Sequence, residues 1–342
     1  MDTISRNVVL RRRPSGEPRP EDFEVVERAV PAPTTGQVLT RTLWLSIDPY
    51  MRGRLSDRKS YAPSVQIGEV MTGESLGEVI ASADPGFAPG DIVVGSRGWQ
   101  SHSLSQASAL TRLSPDAAPL QAHLGVLGMP GTTAYSGMKD IGAPKAGETV
   151  VISAASGAVG SVAGQSAKRA GARVVGIAGG PDKCLWVQEA LGFDDCVDHR
   201  NPYLADTLAE ACPEGIDVYF ENVGGAVQQA VFPLLNTFSR VVMCGMVAQY
   251  NEREFPPGPN LGFVVGKRVR SQGLIVSDKP ERFAEWRALA SPWVVEGSLR
   301  YRETVSDGLE NAPEALALLL RGGNFGKMLV RVDSDPATTR PA

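Results

Sequence analysis

The sequence after residue 145 alternates short apolar runs with longer mixed segments, and this alternation restricts the possible folds more than any other feature. Each apolar run has the length of a buried strand, and each segment that follows has the length of a helix. Strands separated by helices pair in parallel, so the pattern predicts a doubly wound α/β domain. The predicted strands are Thr149–Ser153, Arg173–Ala178, Cys196–Asp198, Asp217–Glu221 and Arg240–Cys244, and the predicted helices are Val159–Ala170, Pro181–Leu191, Tyr203–Ala211 and Gly225–Leu235.

The sequence before residue 145 has a different residue pattern, in which short apolar runs are separated by glycine and proline. The runs Gly36–Trp44, Gly68–Ile80 and Asp91–Gly95 are typical of an all-β unit. Beyond the fifth strand, we expect a loop and four further elements, the last two of which rejoin the first domain. They are the loop Gln249–Gly262, a sixth strand Val269–Val276, a helix Pro280–Glu296, a helix Ala312–Arg321 and a strand Lys327–Val332.

Length and composition exclude several classes of protein. A chain of 342 residues with 42% hydrophobic and 21% charged residues suits two globular domains. The formal net charge of −4 does not favour nucleic acid or an acidic membrane surface as a partner. No run of 18 apolar residues occurs, and the N-terminal MDTISRNVVLRRR lacks the apolar core of a signal peptide, so we expect a cytoplasmic protein. The cysteines, Cys184, Cys196, Cys212 and Cys244, form no CxxC pair and are expected to be free thiols.

A glycine-rich turn links the first predicted strand of the α/β domain to its helix. The segment Ala155–Gly160 fits the G-x-G-x-x-G pattern with alanine in the first position. Gly157 would let the backbone approach a pyrophosphate, and Gly160 would let the helix pack closely on the strand. The helix N-terminus supplies N–H groups and a favourable dipole for phosphate. The turn therefore predicts a dinucleotide site. The alternative is a purely structural tight turn of small residues that binds no ligand.

The end of the second strand distinguishes NADP from NAD. An NAD site usually carries an acidic residue there for the ribose 2′-hydroxyl. Here the strand ends in Ala178, Gly179 and Gly180, and Lys183 follows in the next helix. A cation at this position suits a 2′-phosphate, so we predict NADP(H) as the cofactor, although Lys183 could also be a solvated helix residue.

Longer strings of residues point to a family. They are LSIDPYMRGR at Leu45–Arg54, GVLGMPGTTAY at Gly125–Tyr135, AASGAVGSVAGQ at Ala154–Gln165, LGFDDCVDH ending at His199, GIDVYFENVGG at Gly215–Gly225, and DGLENAP with GGNFGK near the C-terminus. With these strings the chain resembles the zinc-independent medium-chain dehydrogenase/reductases, and within them the branch of curcumin, prostaglandin and 2-alkenal reductases. The resemblance implies a GroES-like domain at residues 1–128 and 302–342, and a Rossmann domain with a parallel sheet at residues 129–301.

The resemblance also implies roles for particular residues. Tyr50 and Tyr250 would be catalytic and face the substrate together with Asn251. Lys183 and His199 would flank the 2′-phosphate, and Asn324 would reach the cofactor from the returning C-terminal segment. The remaining implied cofactor contacts are Gly157, Ala158, Val159, Gly160, Gly179, Asn222, Met129, Thr133, Cys244, Gly245 and Val247.

A catalytic zinc ion is not expected. Zinc-dependent relatives carry an early cysteine and a G-H-E-x-x-G motif, but here Gly73 replaces that histidine and no cysteine precedes Cys184. The usual set of three protein ligands is therefore missing.

Without zinc, another group must stabilise negative charge on a substrate oxygen, and one or two hydroxyl groups can do so by hydrogen bonding. We expect NADPH-dependent reduction of the conjugated C=C bond of α,β-unsaturated ketones or aldehydes. Tyr250 is predicted to polarise the carbonyl or to donate the α-proton. A quinone reductase remains an alternative, and so does a non-catalytic NADPH-binding sensor or crystallin-like protein. A homodimer is also expected, formed through the edge strand Val269–Val276.

Overall fold

A computed structural model describes residues 3–114, 118–254 and 256–334. Phe255 of the predicted loop and residues 335–342 of the predicted C-terminal range lie outside them. Contacts divide the chain into a first unit, Met1–Leu124 with Glu303–Ala342, and a second unit, Gly125–Arg302.

The elements of the described residues are numbered in chain order. The strands are β1 Thr3–Leu10, β2 Phe23–Val30, β3 Gln37–Ile47, β4 Glu74–Ser82, β5 Ile92–Ser96, β6 His102–Gln106, β7 Thr111–Leu113, β8 Thr149–Ser153, β9 Arg173–Ala178, β10 Asp195–Asp198, β11 Ile216–Glu221, β12 Leu235–Met243, β13 Arg270–Gly273, β14 Glu303–Asp307 and β15 Lys327–Arg331. The α-helices are α1 Met51–Arg54, α2 Met129–Gly137, α3 Gly160–Arg169, α4 Pro181–Glu189, α5 Leu204–Ala211, α6 Gly225–Val231, α7 Gly262–Lys267, α8 Glu281–Val295 and α9 Ala312–Leu320. A π-helical turn spans Met138–Gly142. Short 3-10 helices span Pro20–Asp22, Ala107–Ala109, Leu120–Leu124, Phe232–Leu234, Val247–Gln249, Val276–Asp278 and Leu309–Asn311.

The second unit is built on a parallel sheet with the strand order β10-β9-β8-β11-β12-β13. Every residue of β8 is buried, as expected for a strand with helices on both faces of its sheet. Close packing of α3 depends on Gly164, where an added Cβ would lie 1.8 Å from the Phe193 ring. The doubly wound α/β domain predicted from the alternation is confirmed.

The first unit is a β structure in which the long strand β3 has several partners. It pairs antiparallel with β4, β6 and β15, and β14 adds to β15 in parallel. Strands β14 and β15, from the C-terminal part of the chain, therefore belong to the same sheet as β3. The core beneath includes Leu45, Trp99 and Leu316, all fully or almost fully buried.

Two predicted elements of the second unit end earlier than expected, and one helix was not predicted. The helix predicted to reach Leu235 ends at Val231, because Pro233 falls in a 3-10 turn that follows it. The edge strand predicted at Val269–Val276 is limited to β13, and a 3-10 helix follows at Val276–Asp278. Helix α7 was not predicted, because its six residues, GFVVGK, are too few to show a helical period.

A half-buried acid in the first unit, Glu303, provides a test of the fold. Burial raises the pKa of Glu303 from 4.5 to about 7, against smaller opposing effects of Gln121 and Lys327. An acid with a raised pKa binds extra protons in the folded state, so it costs stability as the pH rises from about 4.5 to beyond 7. We expect Glu303→Gln to be more stable than the wild type by about 2 kcal/mol at pH 8.5, and to lose that advantage near pH 5. Urea denaturation at both pH values measures the difference. Glu281→Gln at an exposed position is the control, and a pH-independent difference for Glu303→Gln would contradict the assignment.

Candidate active site

The strand order of the second unit reverses between β8 and β11. In open α/β sheets the crevice outside the carboxyl ends of such a pair is where ligands bind. The loops that leave β8, β9, β11 and β12 at this edge are therefore the candidate site, and they carry most of the predicted cofactor residues.

The turn after β8 has the tight geometry that its sequence predicts. Ala154 has a left-handed φ of 50°, and its carbonyl accepts the Gly157 N–H at 2.9 Å. A Cβ on Gly160 would lie 2.3 Å from that carbonyl oxygen, and one on Gly157 would lie 3.1 Å away. The turn therefore requires glycine at position 160, where α3 begins. This geometry fits a pyrophosphate at the N-terminus of a ten-residue helix.

Basic side chains surround the end of β9, where the 2′-phosphate of NADP is predicted. Lys183 lies in the first turn of α4, and His199 and Arg200 directly follow β10. A Cβ on Gly179 would meet His199 Nε2 at 2.7 Å, and one on Gly180 would meet Arg200 Nη1 at 3.1 Å. Both side chains therefore lie directly over the two glycines. We call Lys183, His199 and Arg200 the cationic rim.

The charge balance of the cationic rim suits an anion. The carboxylate of Asp198 accepts the N–H groups of Gly180 and Arg200, each at 2.9 Å, so backbone donors engage one of its oxygens. Burial and the nearby charge of Arg200 lower the pKa of Lys183. Burial also lowers the pKa of His199 below 6.5. A bound phosphate would offset the repulsion between the charges of Lys183 and Arg200.

Arg200 was not singled out in the sequence. The sequence pattern for NADP concerns the end of the second strand and the helix after it, whereas Arg200 follows the third strand. Its place beside His199, at the carboxyl edge of the parallel sheet, is the signal that could have identified it.

The loops after β11 and β12 are joined by hydrogen bonds. Asn222 donates its backbone N–H to Ser153 Oγ and its side-chain amide to the Ser153 carbonyl, both at 2.8 Å. The Asn222 carbonyl accepts the Val247 N–H at 3.2 Å, and a Cβ on Gly245 would lie 3.1 Å from it. Burial raises the pKa of Cys244 to about 12, so its thiol stays protonated at neutral pH. Four predicted cofactor residues, Asn222, Cys244, Gly245 and Val247, thus share one edge of the sheet.

Tyr250 follows a 3-10 turn at Val247–Gln249 and is half-buried. Its hydroxyl oxygen accepts the Met246 N–H at 3.4 Å. The phenol therefore lies against the turn that contains Cys244 and Gly245. Asn251, the next residue, is also half-buried.

Met129 and Thr133 lie one helical turn apart in α2. The Thr133 hydroxyl donates to the Met129 carbonyl at 2.7 Å, which commits its proton to the helix backbone. Thr133 can still accept a hydrogen bond through its oxygen.

Tyr50 belongs to the first unit, where it directly precedes α1. Its ring lies 5.4 Å from the Arg54 guanidinium carbon. Burial and the nearby charges of Asp48 and Glu74 raise its pKa, so the phenol is protonated and able to donate at neutral pH.

The turn that carries Tyr50 is anchored by a buried ion pair. Lys327 Nζ lies 2.7 Å from Asp48 Oδ1 and donates to the Ile47 carbonyl at the same distance. Both side chains are at most 5% exposed. The nearby predicted cofactor residue Asn324 is buried, and its side-chain amide donates to the Gly326 carbonyl at 2.7 Å.

Comparisons with known proteins show what this chain is similar to. Residues 6–113 match the family model described as the N-terminal domain of oxidoreductase, and residues 158–295 match the one described as zinc-binding dehydrogenase. The NADPH-dependent curcumin reductase of Escherichia coli (strain K12) is 49% identical over 337 residues, which are 97% of this chain and 98% of that protein. The NADP(+)-dependent 2-alkenal reductase of Nicotiana tabacum is 37% identical over 341 residues, 98% of this chain and 99% of that protein. The crystal structure of CurA from Vibrio vulnificus in complex with NADPH superposes with a TM-score of 0.92 at 45% identity and covers 96% of this chain and 100% of that chain.

The parallel sheet, its glycine turn and its helix N-terminus place the second unit in the class of dinucleotide-binding α/β domains. Full-length relatives well above 30% identity identify the family. The chain belongs to the medium-chain dehydrogenase/reductase family.

Proposed function

We propose that this protein reduces the conjugated C=C bond of α,β-unsaturated ketones or aldehydes at the expense of NADPH. The observation that carries the proposal is the cationic rim, with His199 and Arg200 over Gly179 and Gly180, next to a turn that requires Gly160. That combination fits a dinucleotide with an extra phosphate. The substrate class rests on relatives that are named as curcumin reductase and 2-alkenal reductase.

The residues proposed to bind the cofactor lie mostly in loops of the second unit. The turn at residues 157–160 would hold the pyrophosphate, and the cationic rim would hold the 2′-phosphate. The further contacts proposed are Ala158, Val159, Gly179, Asn222, Met129, Thr133, Cys244, Gly245, Val247 and Asn324. NADPH supplies the hydride, and the protein positions the substrate and polarises it.

The hydroxyl groups of Tyr250 and Tyr50 are the proposed catalytic groups. Addition of hydride at the β-carbon of an enone places negative charge on the carbonyl oxygen, and a hydrogen-bond donor at that oxygen stabilises the charge. Tyr250 is proposed to polarise the oxygen or to donate the proton to the α-carbon, and Asn251 to line the substrate site. The raised pKa of Tyr50 keeps that phenol in the donor form.

The reaction is proposed to need no zinc, although one matching family model is described as zinc-binding. Gly73 stands where zinc-dependent relatives carry a histidine. A Cβ at this position would meet Met51 Cε and Trp99 Nε1, both at 3.0 Å, so the space for a ligand side chain is filled. Among the described residues, no group of three His, Cys, Asp or Glu side chains is placed to hold a metal ion. These observations support a reaction that does not use zinc.

The assay for this function compares enones with quinones under NADPH and under NADH. We expect oxidation of NADPH that depends on the enone, with little use of NADH. Turnover of quinones alone would favour a quinone reductase. Binding of NADPH without turnover across a panel of enones would favour a sensor or crystallin-like protein.

A homodimer and a cytoplasmic location are part of the proposal. Strand β13 lies at the edge of the parallel sheet and its residues are exposed, and the neighbouring Leu261 and Val265 are exposed apolar residues. An exposed edge of this kind can pair with a second copy. Light scattering at micromolar concentration should give the mass of a dimer, and a monomeric mass would contradict it. Within the described ranges, no helix is long and apolar enough to cross a membrane.

A further inference from the structure

Glu221, the last residue of β11, is a fully buried acid at the carboxyl edge of the parallel sheet. None of the roles described above uses it. A buried carboxyl group is costly unless hydrogen bonds compensate for the loss of water, so its partners indicate what it does.

The side chain of Glu221 holds the loop at residues 222–224. Its Oε1 accepts the N–H of Val223 at 2.7 Å and that of Gly224 at 2.9 Å. The Ser153 hydroxyl lies 3.2 Å from Oε1 and also 3.2 Å from the Phe220 carbonyl, so it can donate to either. One carboxyl oxygen therefore ties the loop after β11 to the end of β8.

The backbone of Glu221 holds the next loop. Its carbonyl oxygen accepts the N–H of Cys244 at 2.9 Å and that of Gly245 at 3.0 Å. The two loops are also joined to each other, because Ala248 donates its N–H to the Val223 carbonyl at 2.9 Å. The segment 244–250 continues to Tyr250, whose hydroxyl accepts the Met246 N–H.

The pKa shifts at and near Glu221 are those expected of a carboxyl group whose role is to accept hydrogen bonds. Burial raises the pKa of Glu221, while the N–H donors of Gly224 and Val223 oppose that rise. The carboxyl also contributes to the raised pKa of Cys244. Burial of the charged carboxylate therefore destabilises the fold. Its benefit to the site is an acceptor oxygen at a fixed position.

We propose that Glu221 is a positioning residue, whose buried acceptor oxygen holds the loop 222–224, and through it the segment 244–250, in the arrangement that binds NADPH. The inference rests on the proposed function for its choice of cofactor. A binding measurement without substrate can nevertheless test it separately from the reaction.

The test compares Glu221→Ala and Glu221→Gln with the wild type. Alanine removes the acceptor, whereas glutamine keeps an acceptor oxygen and nearly the same shape. We expect Glu221→Ala to weaken NADPH binding at least tenfold, measured by the change in nicotinamide fluorescence, and Glu221→Gln to bind within threefold of the wild type. We also expect the NADPH-induced rise in melting temperature to shrink in the alanine variant alone.

A control must distinguish a general loss of protein stability from displacement of the loop 222–224 and the segment 244–250. Leu208 is fully buried in α5, which carries none of the loop residues, so Leu208→Ala is the matched control. It should lower the melting temperature of the apoprotein and leave the affinity for NADPH within twofold of the wild type. Near-normal binding by Glu221→Ala, an equal loss in Glu221→Gln, or an equal loss in Leu208→Ala would each overturn this inference alone. A wild-type protein that does not bind NADPH would overturn the proposed function as well.

Discussion

Replacement of two side chains of the cationic rim, Lys183→Ala with Arg200→Ala, is expected to raise the KM for NADPH about a hundredfold and to leave the KM for NADH within about threefold. Hydrogen bonds from cations to phosphate are roughly twice as strong as neutral ones, so loss of two such contacts should cost about 3 kcal/mol. Only NADPH carries the 2′-phosphate, so the variant should lose most of the preference for NADPH over NADH. Steady-state kinetics with each cofactor at a fixed enone concentration measures the effect.

The control for this variant removes the same charge elsewhere. Lys168→Ala with Lys267→Ala alters two cations on α3 and α7 of the second unit. It should change neither KM by more than about twofold, because Lys168 pairs with Asp194, Lys267 donates to the Pro233 carbonyl, and neither lysine lies in a loop of the candidate site. An equal loss for NADPH and NADH in the rim variant would contradict the assignment of the 2′-phosphate.

Replacement of Tyr250 by phenylalanine is expected to lower kcat for enone reduction about a hundredfold. A positioned proton donor or a hydrogen bond to a developing oxyanion typically contributes about 10² to 10³ in rate. The phenyl ring fills the same space, so the affinity for NADPH should stay within about threefold. Pre-steady-state oxidation of NADPH, followed by its absorbance with saturating enone, separates the chemical step from product release.

A tyrosine on the surface is the matched control for that variant. Tyr203 is 68% exposed, and Tyr203→Phe should leave both kcat and KM unchanged. A Tyr250→Phe protein that folds, binds NADPH and retains full kcat would remove Tyr250 from the mechanism. Tyr50→Phe would then be the next variant to examine.

The sequence predicted the parts of the fold that local patterns determine. The apolar runs of β8, β9 and β11 have the period and length of buried strands, and the small residues at 154–160 match a turn whose geometry requires glycine at 160. These signals are carried by neighbouring residues along the chain.

Features that depend on distant contacts were beyond the reach of the sequence pattern. Glu221 was predicted as the end of a strand, but its hydrogen bonds to Ser153 and to the loop at 222–224 exist only once β8 and β11 pair. The position of Arg200 over Gly180 likewise depends on the pairing of β9 with β10. Helix α7 was missed, and the strand that contains β13 was predicted too long, because brief elements take their structure from packing more than from composition.

The most direct test of the central claim follows the hydride into the product. The enzyme is incubated with an α,β-unsaturated ketone and NADPH that carries deuterium at both C4 positions, and the product is analysed by NMR and mass spectrometry. The proposed function predicts a saturated ketone with one deuterium on the β-carbon. An allylic alcohol with deuterium on the former carbonyl carbon would contradict reduction of the C=C bond.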